Sequence, residues 1–403
     1  MKKKIISFTV IFFILFGLIW LKNNVNPSFH NLANKKDDKL DILLVANDLA
    51  QSGAQIMLFN LADVLLKNDY SVYLYSYEDG DMHKKFNKRG VKVIVSKKYK
   101  RNHDFSKIVQ QFDLVITNDL WTSASYMSSN EYVPAIWWVH AIPEYDKTTM
   151  DMFEMIYQND HNLFPPYIYT LSKAQNIVSV SSLLSESIKK FNSNKINLIY
   201  NIIEEKNILY KNKIDDNVIR FSLISRLVKD KGIDVLIEAI SLLPEEYNNK
   251  AIFNIVGGQS DDFINDLKLQ TTVFENIIWT GEVQNKNMKD IYAQTDVILH
   301  PSRKDASPLV ILEAAANNIP SVITDNVGST HIIKDKESGF VIPVDNAEAL
   351  KEKIMWFIDN PEQIEIMGEK ANQYYRETSS KEVFEKKWLE LIKDVLSKEK
   401  NKD

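Results

Sequence analysis

Short apolar runs alternate along most of the chain with longer stretches in which apolar residues recur every three or four positions, a pattern that predicts strands and helices in turn. In the first half the runs Asp41–Ala46, Ser71–Tyr75, Val91–Val95, Leu114–Thr117, Ala135–Val139, Ile177–Val180 and Ile196–Tyr200 read as strands, with helices such as Ala54–Leu66 and Leu183–Phe191 between them. Glu204–Asn217 is polar and lacks a sustained apolar run, so it reads as a joint. A second series follows, with strands at Ile219–Ile224, Ile252–Val256, Ile277–Trp279, Val297–His300 and Ser321–Thr324. Its helices fall at Ile233–Leu243, Asp262–Leu269, Lys286–Ala293, Leu309–Asn318 and Ala347–Ile358. Strand and helix in alternation imply βαβ units around parallel sheets. The expected fold class is therefore α/β, with two Rossmann-like domains at residues 40–205 and 217–375 facing each other across a cleft. In such sheets ligands bind beyond the carboxyl ends of the strands.

The start of the chain breaks the pattern. Lys2, Lys3 and Lys4 precede an uncharged apolar run from Ile5 to Leu21, closed by Trp20 and Lys22. The segment Lys22-Asn23-Asn24-Val25-Asn26-Pro27 offers no small-residue cleavage pattern, so residues 1–22 are expected to be an uncleaved transmembrane helix. Residues 23–39, rich in Asn and Lys, read as a linker. Lysines on both sides of the run leave its orientation open.

Composition narrows the function classes. The chain has 403 residues, enough for two cores, and a formal charge of −5 from 49 basic and 54 acidic residues, with the basic ones scattered. No nucleic-acid partner is expected. The absence of cysteine excludes disulfides, thiolate metal sites and a cysteine nucleophile.

Three polar constellations stand at predicted strand ends. Val297–His300 runs into Pro301-Ser-Arg-Lys-Asp305-Ala-Ser307-Pro-Leu309 and then an apolar helix carrying Glu313. Ser307 suits the N-cap and Pro308 the first helical position. The free amides of that turn, with the helix dipole, favour an anion. Glu313, flanked by apolar residues, requires a polar partner or a ligand. In the second constellation, Arg226 and Lys231 follow the strand Ile219–Ile224 and can hold a diphosphate between a fork and a point charge. In the third, Ser52-Gly53-Ala54 after the first strand lets a ligand approach the backbone. His140 follows Ala135–Val139 at the same edge, where it can hydrogen-bond a hydroxyl or move a proton. Asp79-Gly80-Asp81 could hold a divalent cation, but its Asp-Gly signal is that of a surface turn.

Taken together and in this order, these residues resemble the retaining GT-B glycosyltransferases of family 4, over about Leu40 to the C-terminus and most strongly from Ser225 to Gly339. The Glu-x7-Glu motif of that family reads Asp305-x7-Glu313 here, followed by Ala314. The family's glycine turn reads Val256-Gly257-Gly258. Its later loops match Gly281-Glu282-Val283 and Ser338-Gly339-Phe340. The resemblance implies a sugar transferred from a nucleotide-sugar donor to a lipid or glycan acceptor, with retention of configuration and without a metal or other cofactor. It implies catalytic roles for His140 and Asp305, and donor binding by Gly53, Arg226, Lys231, Ser307, Leu309 and Glu313. Asp305 and the amides after it would hold the sugar, Glu313 the ribose, and Arg226 with Lys231 the diphosphate. Residues 376–403, with Val383, Phe384, Trp388, Leu391, Ile392 and Val395 on one stripe, are expected as a helix crossing back to the first domain. With an anchor, the expected setting is the membrane, domains toward the cytoplasm where bacterial nucleotide-sugars are found, in cell-surface polysaccharide or glycolipid synthesis. A catalytically idle GT-B scaffold or sugar-nucleotide binder is the competing expectation, because the chain departs from the family at Asp305, at His331 and in having one glycine at Gly53.

Overall fold

The computed structural model describes residues 38–96, 109–118, 133–141, 167–203, 217–258 and 262–400. It contains two wholly parallel sheets. The first holds β1 (Asp41–Ala46), β2 (Ser71–Ser76), β3 (Lys92–Val95), β4 (Leu114–Thr117), β5 (Ala135–Val139), β6 (Ile177–Ser179) and β7 (Ile196–Leu198) in the order β3-β2-β1-β4-β5-β6-β7. The second holds β8 (Ile219–Ile224), β9 (Ala251–Val256), β10 (Ile277–Gly281), β11 (Val297–His300), β12 (Ser321–Thr324) and β13 (Gly339–Ile342) in the order β10-β9-β8-β11-β12-β13. Both are Rossmann-like. In each, the winding direction reverses beside the first strand, between β1 and β4 and between β8 and β11, and there helices diverge to leave a crevice.

The central strands are apolar on both faces because helices cover both faces. All six residues of β1 are buried. Asp41, the one charged residue among them, has its backbone amide donating to Asp113 Oδ2 at 2.8 Å. The Gly53–Lys67 helix packs Met57, Leu58, Leu61 and Leu65 into the first core, and Ile233–Ser241 packs Leu236, Ala239 and Ile240 into the second.

Among the elements that the apolar pattern does not predict, two bear on the site and its surroundings. Gly339–Ile342, expected as a loop, is the edge strand β13, because register with β12 supplies hydrogen bonds that its short apolar run does not announce. The helix Glu362–Ser379 has no matching expectation in the sequence pattern, because its buried face is narrow and interrupted by polar residues; it packs on Leu309–Ala316 through Ala371 and Tyr375. The final helix, Lys381–Lys400, lays Phe384, Trp388, Leu391, Ile392 and Val395 into the first core, alongside residues of β1, β5 and β6. Each large apolar side chain sealed there stabilises the arrangement by about 1.5–3 kcal/mol. Asn68 Nδ2 donates to Glu385 Oε1 at 2.9 Å and Lys381 Nζ stands 3.2 Å from Asp63 Oδ2, fixing the helix's register on the domain.

The expected transmembrane helix finds no support. The run Ile5–Leu21 lies outside the described residues, as do residues 23–37 of the linker and 204–216 of the joint. Among the described residues no helix is long and apolar enough to cross a membrane.

Candidate functional site

The loops after β8 and β11 meet at the switch point of the second sheet. Gly232 sits in the left-handed region, φ +68°, and a Cβ there would lie 2.1 Å from the carbonyl oxygen of Pro301. Only glycine lets the two loops touch. Arg303 then locks them together. Its guanidinium donates to both oxygens of Asp234, at 3.0 and 2.9 Å, and its Nε reaches Asp345 at 2.7 Å. Arg303 N also donates to the Asp230 carbonyl at 2.8 Å.

This contact brings Lys231 Nζ to 2.5 Å from Asp305 Oδ2, both side chains largely buried at 20% and 17% exposure. His300, at the end of β11, places Nε2 3.4 Å from the same oxygen and 3.0 Å from Ser302 Oγ. Burial acts to raise the Asp305 carboxyl, yet the His300 imidazole and the Lys231 ammonium outweigh it and hold the group at about 2. Asp305 is thus a fixed anion. Its other oxygen, Oδ1, accepts from the Ser307 amide at 3.3 Å.

Ser307 does not cap the helix, contrary to expectation. Pro308 has extended backbone, φ −67° and ψ 123°, and occupies the cap position, so the helix begins at Leu309. The Ser307 hydroxyl instead accepts from Asn201 Nδ2 at 3.1 Å, a bond that reaches back toward the first domain. Ala306 and Leu309 pack against the first core, and a Cβ on Gly53 would lie 3.8 Å from Leu309 Cδ1. The Gly53 turn and the Asp305–Leu309 turn therefore face each other.

Arg226 is exposed and lines a cleft of about 560 Å³ with Ser225, Gly257, Gly258, Glu282, Val283 and Met288. Gly257, φ +154°, presses against the Ser225 carbonyl, where a Cβ would be 1.8 Å away. Arg226 and Lys231 do not share one contact: Lys231 is committed to Asp305 and Arg226 looks into the cleft. Glu313, partly buried in its apolar helix, finds a polar partner in Tyr292, whose hydroxyl donates to Oε2. Burial raises the Glu313 carboxyl against the opposing effect of that bond.

His140 stands on the first domain, its ring 4.6 Å from that of Trp138, which in turn contacts Trp388 of the final helix at 4.8 Å. Its Nε2 is sealed from solvent without a hydrogen-bond partner among the described residues. Burial pushes the imidazole down to about 3, so it is neutral at working pH. Asp79, weighed as a metal ligand, spends its Oδ1 on the Gly80 amide at 2.8 Å and on His83 Nδ1 at 2.7 Å, as a turn does.

The parts that His300, Arg303 and Tyr292 play here are not announced by the local sequence. His300 and Arg303 lie inside the quoted Asp305 loop, but nothing local announces their partners. Tyr292 reads simply as an apolar residue of a short helix.

Two Rossmann-like parallel-sheet domains are consistent with the GT-B fold of sugar transferases. Residues 204–374 match the family described as Glycosyl transferases group 1, and residues 39–194 match Glycosyl-transferase family 4. The chain belongs to this family of GT-B glycosyltransferases. An uncharacterized glycosyltransferase of Methanocaldococcus jannaschii is 28% identical over 251 residues, 57% of this chain and 61% of that protein. The capsular polysaccharide biosynthesis glycosyltransferase CapM of Staphylococcus aureus is 25% identical over 198 residues, 49% of this chain and 50% of its own length. The chain spans about half to three-fifths of these curated relatives. Among solved structures, Anabaena HepE in complex with UDP-glucose superimposes with a TM-score of 0.71 at 15% identity, covering 88% of this chain and 100% of that one. At that identity the likeness concerns the fold.

Proposed function

We propose that this chain is a retaining, metal-independent glycosyltransferase that moves a sugar from a nucleoside-diphosphate sugar to a glycan or lipid acceptor in cell-surface polysaccharide or glycolipid synthesis. The observation that carries the reading is the Lys231–Asp305 pair at the switch point of the second sheet, beside the cleft that Arg226 enters. The naming of CapM for capsular polysaccharide biosynthesis supports the pathway, and the UDP-glucose bound to HepE supports the donor class.

In this reading the diphosphate lies between Arg226, Lys231 and the amides that open the Leu309–Ala316 helix, with Gly53 on the opposite wall. Asp305 accepts hydrogen bonds from hydroxyls of the transferred sugar, and Glu313 from the ribose. Because Asp305 is one methylene shorter than the family's usual Glu, its partner hydroxyl must approach more closely. As the bond from the anomeric carbon to the phosphate oxygen breaks, charge grows on the leaving phosphate. Lys231 and Arg226 stabilise it. The acceptor oxygen attacks on the same face and its proton passes to that phosphate. His140, neutral, orients the sugar by a hydrogen bond from its imidazole. The apolar Ile5–Leu21 run tethers the enzyme to the membrane, with the domains on the cytoplasmic side where donors are supplied.

Incubation of the purified protein with labelled UDP-, GDP- and ADP-sugars in EDTA, with NMR of the anomeric centre before and after, tests each part. Transfer or slow donor hydrolysis that survives EDTA and keeps the anomeric configuration is expected. Inversion would refute retention, loss with EDTA would refute metal independence, and silence with no nucleotide binding would refute the transferase reading. A reporter fused after Asp403 and found outside the membrane would overturn the stated orientation.

A further inference from the structure

The helix Met288–Ala293 carries Met288 at its start and Tyr292 one turn on. Met288 lines the cleft with Arg226, Gly257 and Gly258. Tyr292, four residues on and therefore on the same helical face, is buried at 2% exposure and donates its hydroxyl to Glu313 Oε2. That is the single hydrogen bond received by the Glu313 carboxylate among the described residues, which leaves Oε1 available. A carboxylate on an unbranched side chain has three rotatable bonds, and a buried donor at one oxygen fixes the direction of the other.

We infer that Tyr292 is a positioning residue for nucleotide recognition: by holding Oε2 of Glu313 it aims Oε1 at the ribose hydroxyls of the donor, while Met288 on the same helix lines the cleft that Arg226 enters. This rests on the reading of Glu313 as the ribose contact. It makes the short helix a device that couples two parts of one ligand, since a shift of the helix moves both Met288 and the aim of Glu313. The phenolic proton stays on Tyr292. Burial and the neighbouring Glu313 carboxylate both push the phenol well above its ordinary range, so it donates and never competes for the ribose as an anion.

The test is a binding comparison by calorimetry, using whichever of UDP, GDP and ADP the wild type binds best, together with its 2′,3′-dideoxy analogue. Tyr292→Phe keeps the ring in its buried place and removes only the donor. It should weaken the ribonucleotide by about tenfold, as loss of one oriented charged hydrogen bond does, and leave the dideoxy analogue within about twofold. Glu313→Gln should show the same selective loss. Equal weakening of both ligands by Tyr292→Phe would make the hydroxyl a structural support and overturn the inference. Should Glu313→Gln fail to distinguish the ligands, the ribose reading of Glu313 fails and the inference with it. If Glu313→Gln distinguishes them and Tyr292→Phe does not, the ribose reading stands and the inference alone falls. Melting temperatures of both variants, expected within a few degrees of wild type, guard against misfolding.

Discussion

The two switch points of this molecule share a topology and differ in almost everything else. Beyond β1 the turn is Ser52-Gly53-Ala54, small and uncharged, with room for an added Cβ at ordinary contact distance from Leu309. Beyond β8 and β11 stand Lys231, His300, Arg303 and Asp305, bonded to one another or to the loops beside them and mostly buried, and there the essential glycine, Gly232, is wedged against Pro301. The fold provides a crevice twice. Side chains make one a charged wall with preset geometry and leave the other a bare one. The comparison also separates two settings of glycine: Gly232 is demanded by the protein's own packing, whereas a Cβ on Gly53 would make only ordinary contact with Leu309 among the described residues.

The largest effect should come from the charged wall. On the proposed function Lys231→Ala removes the charge assigned to the leaving phosphate, and the rate of transfer is expected to fall roughly 100- to 1000-fold, measured as kcat with saturating donor. A fall below threefold would dissolve the contrast between the walls.

Asp305→Asn is next. Transfer should drop about 100-fold, and the change should also appear in stability. The folded carboxyl sits at about 2, against 3.8 ordinarily, so folding is favoured while the group is ionised in both states, above pH 4. That contribution, roughly 2 kcal/mol, is lost as pH falls from about 4 through 2. Denaturant midpoints of wild type and Asp305→Asn should therefore converge between pH 4 and pH 2. Parallel curves would show that the ion pair contributes nothing to the fold.

The two glycines sharpen the comparison further. Gly232→Ala combines left-handed backbone strain with a clash on Pro301 and should lower stability by at least about 2 kcal/mol, read from the denaturant midpoint. Gly53→Ala should leave stability within about 0.5 kcal/mol, because its Cβ meets only Leu309 at 3.8 Å. Its effect should appear as a raised donor KM. If Gly53→Ala instead destabilised the protein as much as Gly232→Ala, the bare wall would be a packing feature and not a binding one.

Strand and helix positions in both domains were legible because burial imposes its period on local sequence. Asp41–Ala46, Leu114–Thr117, Ala135–Val139, Ile219–Ile224, Val297–His300 and Ser321–Thr324 appear with the bounds the apolar runs predict. Where local signal is weak, neighbours decide. Gly339–Ile342 is a strand because β12 lies beside it, and Ser307 leaves the cap because Asn201 offers its hydroxyl a better-placed donor.

The sequence alone therefore determined the alternation of elements, the two-domain α/β class and which loops would carry polar residues, since these depend on interactions between residues a few positions apart. Only the tertiary structure decided that Lys231 would hold Asp305, 74 residues away, and that Tyr292 would hold Glu313. Those pairings depend on distances created when β8 and β11 become neighbours and the chain returns across both domains. No local periodicity encodes them, because each partner satisfies its own stretch equally well without the other.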